Sequence, residues 1–470
     1  MAYTSSKQRA AKAELSRHGM WSSRWLFVLA AAGSAVGLGN IWKFPYIAGE
    51  NGGGAFVVVY LACVLLMGVP IMVAEVMLGR AGRGSPVHAM RNLVESAKAS
   101  KFWYLVGWLG IAAGFLILSY YSVIAGWALF YIWQMASGAF NAVTPELAES
   151  MFNGFLANPL QLVFWHTLFM ALVVWIVSKG VVKGLEVAIR WFMPLLFILL
   201  VILLGYSAQS GGFEQGFNFM FSFDWSAMKL DGFLVALGQA FFTLSLAMGA
   251  IMAYGAYLPK DTSIFSTVTT VALIDTTVAI AAGLAIFPIV FANGLDPSSG
   301  PGLMFVTVPL AFGQMEMGVA FGAMFFLLVS FAAITSAISL LEPLLAYLVE
   351  EYNALRGRVA ISMGVICWLL GIGSVLSFNV WSDVYIVGDK TFFDFVDYVT
   401  QNIMLPLGGV LIAVFVGFSL PKELVAEQLD LSGGVTQLVW NLLIKLVAPL
   451  GVLAVFCYTI YTTLYLPYLA

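Results

Sequence analysis

Eleven stretches without a single Asp, Glu, Lys or Arg dominate this chain of 470 residues. They cover positions 25–42, 51–74, 102–145, 150–178, 191–213, 232–259, 276–295, 317–341, 359–382, 398–421 and 446–470. A hydrocarbon layer about 30 Å thick needs roughly 20 apolar residues to cross it as a helix. Each run reaches or approaches that length, so the sequence predicts eleven crossings. The seventh is expected to begin before Asp275 and the eleventh before Lys445. All eleven read as helices, since a barrel would show short alternating segments. Composition agrees: 61% of residues are hydrophobic and 10% charged, whereas soluble domains carry about 25% charged residues. The first run is too long for a signal-peptide core and no small-residue cleavage site follows it.

Charge placement gives the direction. Seventeen of the 21 Lys and Arg residues fall in the N-terminal tail or in loops after even-numbered runs. The opposite loops carry only Lys43, Lys229 and Lys390. The bias predicts a cytoplasmic N-terminus and, after eleven crossings, an outside C-terminus.

Several functions are excluded. A net charge of −3 and the lack of a basic arm beyond a short N-terminal cluster leave no place for nucleic acid. Cys63, Cys367 and Cys457 and the three histidines are scattered through the chain, without metal-ligand spacing. No phosphate-binding loop is present; "NGGGAF" at 51–56 lacks the closing Gly-Lys-Ser/Thr and reads as a tight bend. With no nucleophile–base pair either, the chain is not expected to be an enzyme. The polar residues gather at mid-run rather than along a continuous pore, which argues against a channel.

Those mid-membrane polar groups carry the functional signal, because an ionisable side chain at that depth costs roughly 3 kcal/mol. Glu50, Glu75, Asp275 and Glu342 qualify. Glu50 and Glu342 lie near run ends and suit helix stitching. Glu75 suits capping of backbone freed by a helix break. Asp275, within "ALIDTTVA", has no basic residue nearby in sequence, so a bound cation is its natural partner. The first run contains "GSAVGLGNIWKFPY" (33–46), where glycines let the backbone leave helical geometry. Carbonyls freed in this way are tolerated only where they line a cavity or bind something. Carbonyl, amide and carboxylate oxygens are hard ligands that suit Na⁺. Gly33 and Gly37 also fit a small-residue packing face, but Asn40 and Pro45 add nothing to one. A second interruption, "GQAFFTLSLAMGAIMAYGAY" (238–257), holds Gln239, Thr243, Ser245 and Gly249. Thr335 and Ser336 mark a third polar spot in the eighth run. Breaks in runs one and six are five crossings apart, the spacing of two five-helix inverted repeats around a central site.

With these motifs the chain resembles the neurotransmitter:sodium symporter family, of the bacterial LeuT-like amino-acid transporter type. The likeness rests on "AVGLGNIWKFPY", "ENGGGAF", "GVPIMVAEVMLG", "GQAFFTLSLAMG", "GPGLMFVTVP" and "AITSAISLLEP". The resemblance implies an all-α polytopic fold: tail 1–20, first repeat 21–206, outer loop 207–231, second repeat 232–420, and inner loop with the eleventh span 421–470. It implies Na⁺-coupled inward symport of a small or medium neutral amino acid or related zwitterion by alternating access. A carrier of γ-aminobutyrate, taurine or betaine, or a non-transporting sensor on the same fold, is the alternative.

Residue by residue, the resemblance assigns one sodium to the Ala35 carbonyl, Asn40, Thr243 and Asp275. A second goes to the carbonyls of Gly33, Val36 and Ala332 with the hydroxyls of Thr335 and Ser336. Substrate is assigned to Ala35, Gly37, Gly39, Ile117, Tyr121, Phe242, Ser245, Met248 and Leu340. Lys43, Asp397, Tyr121 and Phe242 form the implied outer gate, and Arg17 or His18, Tyr257 and Glu350 the inner one. Asp275 stands where many members have asparagine, so no chloride requirement is expected. Gly37 stands where monoamine carriers have aspartate, so the substrate is expected to bring its own carboxylate. Lys43 replaces the usual arginine and cannot form its bidentate fork, so a looser or water-bridged gate is expected. Ala247 replaces a usual glycine. Besides substrate, the implied partners are membrane lipid and, left open, a second copy of the chain.

Overall fold

The computed structural model describes residues 23–228, 230–297, 302–431 and 433–461. Arg17 and His18, the rest of the tail, and part of the 300–309 motif lie outside the described residues.

Helices α1 (Arg24–Ala35) and α2 (Gly39–Glu50) together form one crossing, bent by 50° at the break between them. The cause is local. Val36 turns extended (φ −70°, ψ 104°), and Gly37 and Leu38 follow before the helix resumes. Pro45 follows the wider helical turn Gly39–Lys43, at the point where α2 becomes regular α-helix. Next come α3 (Gly54–Gly82), the short α4 (Pro86–Ala97) and α5 (Lys101–Ala136). Another short helix, α6 (Pro145–Leu156), precedes α7 (Pro159–Ser178) and α8 (Lys183–Ser207).

After the short α9 (Phe213–Phe221), α10 (Leu230–Thr243) and α11 (Ala250–Ala256) repeat the broken pattern. Between them Ser245, Ala247 and Gly249 all have positive φ, at 54°, 59° and 75°. Three alternate left-handed residues cannot continue an α-helix. The backbone they release is met from α3: Glu75, fully buried, accepts the Ala247 N–H. The expectation that Glu75 caps a helix break therefore agrees with the structure.

The remaining elements are α12 (Ile264–Ala292), the short α13 (Leu303–Gly313), α14 (Gly318–Tyr352), α15 (Arg356–Ser377), α16 (Phe392–Ser419), the short α17 (Lys422–Leu429) and α18 (Val435–Tyr458). Among the described residues, nine helices are long and apolar enough to cross a membrane, and the bent α1–α2 pair makes ten. The interrupted α10–α11 segment, expected as the sixth crossing, is not among them, since its halves are 14 and 7 residues long. The two starts expected upstream of Asp275 and Lys445 fall at Ile264 and Val435.

Packing places the breaks centrally. Helix α14 is 83% buried over its most apolar window and lies along α5, the most extensive helix pair in the bundle. Helix α12 packs on both α1 and α2, and α14 on α1. The inner half-helix α11 lies on α3, where Gly79 and Gly255 leave no space for a methyl group against the facing backbone. Glu342, buried on α14, is not free: Arg356 at the start of α15 pairs with it. Arg356 also donates through Nε to the Val177 carbonyl (2.9 Å), so the pair stitches α7, α14 and α15 together.

Candidate functional site

Two oxygen clusters form where the first break meets α12 and α14. In the first, Asp275 on α12 is fully buried. Asn40 Nδ2 donates to its Oδ1 (2.7 Å) and to its backbone carbonyl (3.1 Å). Thr243 Oγ1, at the end of α10, donates to the same carboxylate (3.0 and 3.1 Å). Asn40 Oδ1 in turn accepts the Gly37 N–H (2.9 Å), so the side chain also ties down the break. Asn40, Thr243 and Asp275, separated by up to 235 positions, thus share one point. Ala35 is the last residue of α1, at the start of the break.

The second cluster lies between the end of α1 and α14. Ser336 Oγ is within 3.2–3.4 Å of the carbonyls of Gly33, Ser34 and Val36. Thr335 Oγ1 donates to the Ala332 carbonyl (3.0 Å). All five residues assigned to a second sodium converge here. The Ser34 carbonyl, absent from that assignment, belongs to the cluster; it also accepts from Ser245 Oγ (2.8 Å), linking the two breaks.

Between the clusters is a cavity of about 20 Å³, on the order of a single water. Ser34, Ala35, Gly37, Leu38, Gly39, Ile117, Tyr121, Phe242, Ser245, Met248, Ser336 and Leu340 line it. All nine residues assigned to substrate are among them, and no wall residue is charged. One side is polar backbone and hydroxyl: Tyr121 OH accepts the Leu38 N–H (3.3 Å) from the break. The other side is apolar, built by Ile117, Phe242, Met248 and Leu340. Gly37 leaves no room for a Cβ, which would collide with Ser336 Oγ and Tyr121 OH. The side chains have closed on one another, so the chemistry of the walls is more informative than the volume.

Donor chemistry discriminates between ions. Among the described residues, no three His, Cys, Asp or Glu side chains converge as a divalent or transition metal would require. One carboxylate with neutral amide, hydroxyl and carbonyl oxygens fits a hard monovalent cation.

Above the cavity, the two charged residues of the expected outer gate are joined through a third side chain. Lys43 does not pair directly with Asp397. It hydrogen-bonds Gln401 Oε1, and Gln401 Nε2 donates to Asp397 Oδ1. A single ammonium lacks the fork of arginine, and the glutamine spans the distance with one donor and one acceptor. Lys43 Nζ also lies 4.9 Å from the Phe242 ring centre, above the cavity wall. Gln401 was missed in the sequence because its role depends on α16 packing 358 positions away.

Below the cavity, Tyr257 caps α11 and is buried. Glu350, at the end of α14, accepts the Ser85 N–H (2.8 Å) and lies 2.9 Å from His88 Nδ1. Arg83 donates to the carbonyls of Ala256 (2.6 Å) and Leu258 (3.2 Å), flanking Tyr257. Ser85, His88 and Arg83 had no signal in the sequence reading.

Comparison with known proteins gives the family. The profile of the sodium:neurotransmitter symporter family matches residues 18–144 and 152–469. An uncharacterized sodium-dependent transporter of Bacillus subtilis, YhdH, is 39% identical over 439 residues, covering 93% of this chain and 96% of the relative. An uncharacterized sodium-dependent transporter of Haemophilus influenzae is 33% identical over 443 residues, covering 93% and 97%. Among solved structures, that of MhsT in complex with L-phenylalanine superposes with a TM-score of 0.87 at 45% identity, over 93% of this chain and 99% of that one. Broken helices, paired oxygen clusters and these likenesses together make the chain a sodium-dependent member of the sodium:neurotransmitter symporter family.

Proposed function

We propose that the protein carries a neutral amino acid into the cell together with sodium held at the two oxygen clusters, and that it needs no chloride. The observation that carries this reading is the cavity wall: uncharged throughout, with free backbone on one side and apolar side chains on the other. A substrate there must bring its own charges. Its carboxylate would meet Tyr121 OH, the N–H groups of the break and the sodium beside Asp275. Its ammonium would meet carbonyls released around Phe242 and Ser245. Ion binding would turn Asn40 so that Oδ1, rather than Nδ2, faces the site.

The electrostatics suffice for coupling. Unit charges ~4 Å apart at an effective dielectric near 20 interact by ~4 kcal/mol, and tenfold coupling needs about 1.4 kcal/mol. Asp275 supplies the fixed negative charge that balances the ion. Exchange of chloride for gluconate is therefore expected to leave uptake unchanged. A collapse of uptake would remove the chloride-independent part of the proposal.

The direct test is thermal stabilisation of the purified protein by a panel of amino acids in NaCl and in choline chloride. A neutral amino acid is expected to raise the midpoint in sodium but not in choline. The panel begins with L-phenylalanine, because the 45% identical MhsT was solved with it, and adds leucine, alanine, γ-aminobutyrate, taurine and betaine. Stabilisation by the last three alone would move the substrate outside the α-amino acids. Stabilisation without any uptake into vesicles would favour a sensor.

A further inference from the structure

A second cavity lies at the opposite end of the bundle from the outer gate, between the end of α16, the short helix α17 and the first half of α18. At about 150 Å³ it is far larger than the central one. Its polar lining consists of Lys422, Lys445, Gln437, Asn441 and Trp440, and no carboxylate lines it. The acids of α17, Glu423 and Glu427, are exposed and do not line it.

Neither lysine has an ion-pair or hydrogen-bond partner among the described residues. Lys422 is exposed, whereas Lys445 is half-buried within an apolar crossing helix. Its stem packs over Gly417 and its ammonium lies 5.9 Å from the Phe418 ring centre. An ammonium at such a depth needs a counter-charge. Beside the cavity mouth, Leu438, Leu442 and Leu446 form one ridge of α18, with exposures of 70%, 53% and 50%. Spaced four apart, they present a continuous greasy strip to the bilayer.

We infer that this cavity binds the phosphate headgroup of an anionic phospholipid, with Lys422 and Lys445 on the phosphate, Gln437 and Asn441 on the glycerol oxygens, and the acyl chains along the Leu438–Leu442–Leu446 ridge. Lys422 follows the tenth crossing, on the side that the lysine and arginine bias makes cytoplasmic, where anionic lipids attract basic clusters. Trp440, buried in the cavity wall, gives the pocket an amphipathic side of the kind favoured at a membrane interface. The site does not depend on the identity of the transported substrate.

A lipid phosphate and free inorganic phosphate share this chemistry, and the experiment separates them. Full-length protein is reconstituted in nanodiscs of phosphatidylcholine or of phosphatidylglycerol, and in detergent with added inorganic phosphate. Thermal midpoint and retained lipid, by native mass spectrometry, are read for wild type and for K422Q/K445Q. Wild type is expected to gain several degrees in phosphatidylglycerol over phosphatidylcholine and to retain phosphatidylglycerol at roughly tenfold higher apparent affinity than the double variant. The variant is expected to match wild type in phosphatidylcholine, showing that it folds. A variant already unfolded there is replaced by K422Q alone, for which half the gain is expected to vanish. Equal midpoints of wild type in the two lipids, or an undiminished gain in the variant, overturns the inference. A full gain from inorganic phosphate without anionic lipid overturns the lipid assignment.

Discussion

At residue scale, the site turns on a few side chains with no substitute nearby. Asp275 is the only carboxylate of its cluster, held by Asn40 and Thr243. Asp275→Asn is expected to abolish sodium-dependent uptake or to make it chloride-requiring; sodium titrations with and without chloride check this. Wild-type sodium affinity in gluconate would show that the carboxylate is not a ligand. Gly37→Ala is expected to weaken amino-acid stabilisation about tenfold or more, since its methyl would overlap Ser336 and Tyr121. These positions were legible in the sequence because each breaks a rule of its surroundings: an acid in hydrocarbon, or glycines in a crossing helix. Gln401 breaks no rule. A glutamine near the start of a charge-free run is unremarkable until α2 and α16 are seen side by side. The second cluster was half legible: Thr335 and Ser336 stand out in an apolar run, whereas the Ser34 carbonyl is chemically identical to every other carbonyl of the chain.

At element scale, the decisive objects are the two breaks. That in α10–α11 combines three positive-φ residues with one buried carboxylate from α3. Glu75→Ala leaves the Ala247 N–H buried and unsatisfied, a loss of about 1–3 kcal/mol. A lower thermal midpoint is expected, with amino-acid stabilisation reduced further. Ala247→Gly acts in the opposite sense on the backbone. A left-handed conformation costs a non-glycine residue about 1–2 kcal/mol, and glycine removes that strain. Its methyl, however, faces Gly408 on α16, which would be left with a small void. A midpoint change within about 1 kcal/mol of wild type is expected, with the substrate profile broadened toward larger side chains in the same panel. Helix existence and order were readable from charge-free runs alone. The short helices outside the membrane, such as α4 and α17, were not, because amphipathic segments of 8 to 12 residues leave no such signature.

For the whole molecule, opening and closing on the proposed transport cycle would depend on latches at the two ends. The outer one runs Lys43–Gln401–Asp397, joining α2 to α16. Gln401→Ala is expected to leave the fold intact but raise labelling of an engineered cysteine above the cavity by a membrane-impermeant reagent. The inner end includes His88, flanked by Glu350, Glu351, Ser85 and Arg91. Hydrogen bonding to Glu350 raises its pKa, outweighing partial burial. A raised folded-state value means that the contribution is full below the ordinary histidine range, near pH 6.5, and is lost as pH rises through the folded value. The midpoint difference between wild type and His88→Gln is therefore expected to be largest in mild acid and to vanish at alkaline pH; a difference flat from pH 5.5 to 8.5 would exclude it. Glu75 has a bearing on the cycle as a whole. The group that holds the second break open is part of the protein and leaves with neither cargo nor ion. On the proposed transport cycle, an emptied carrier would thus keep a partner for the backbone of its second break.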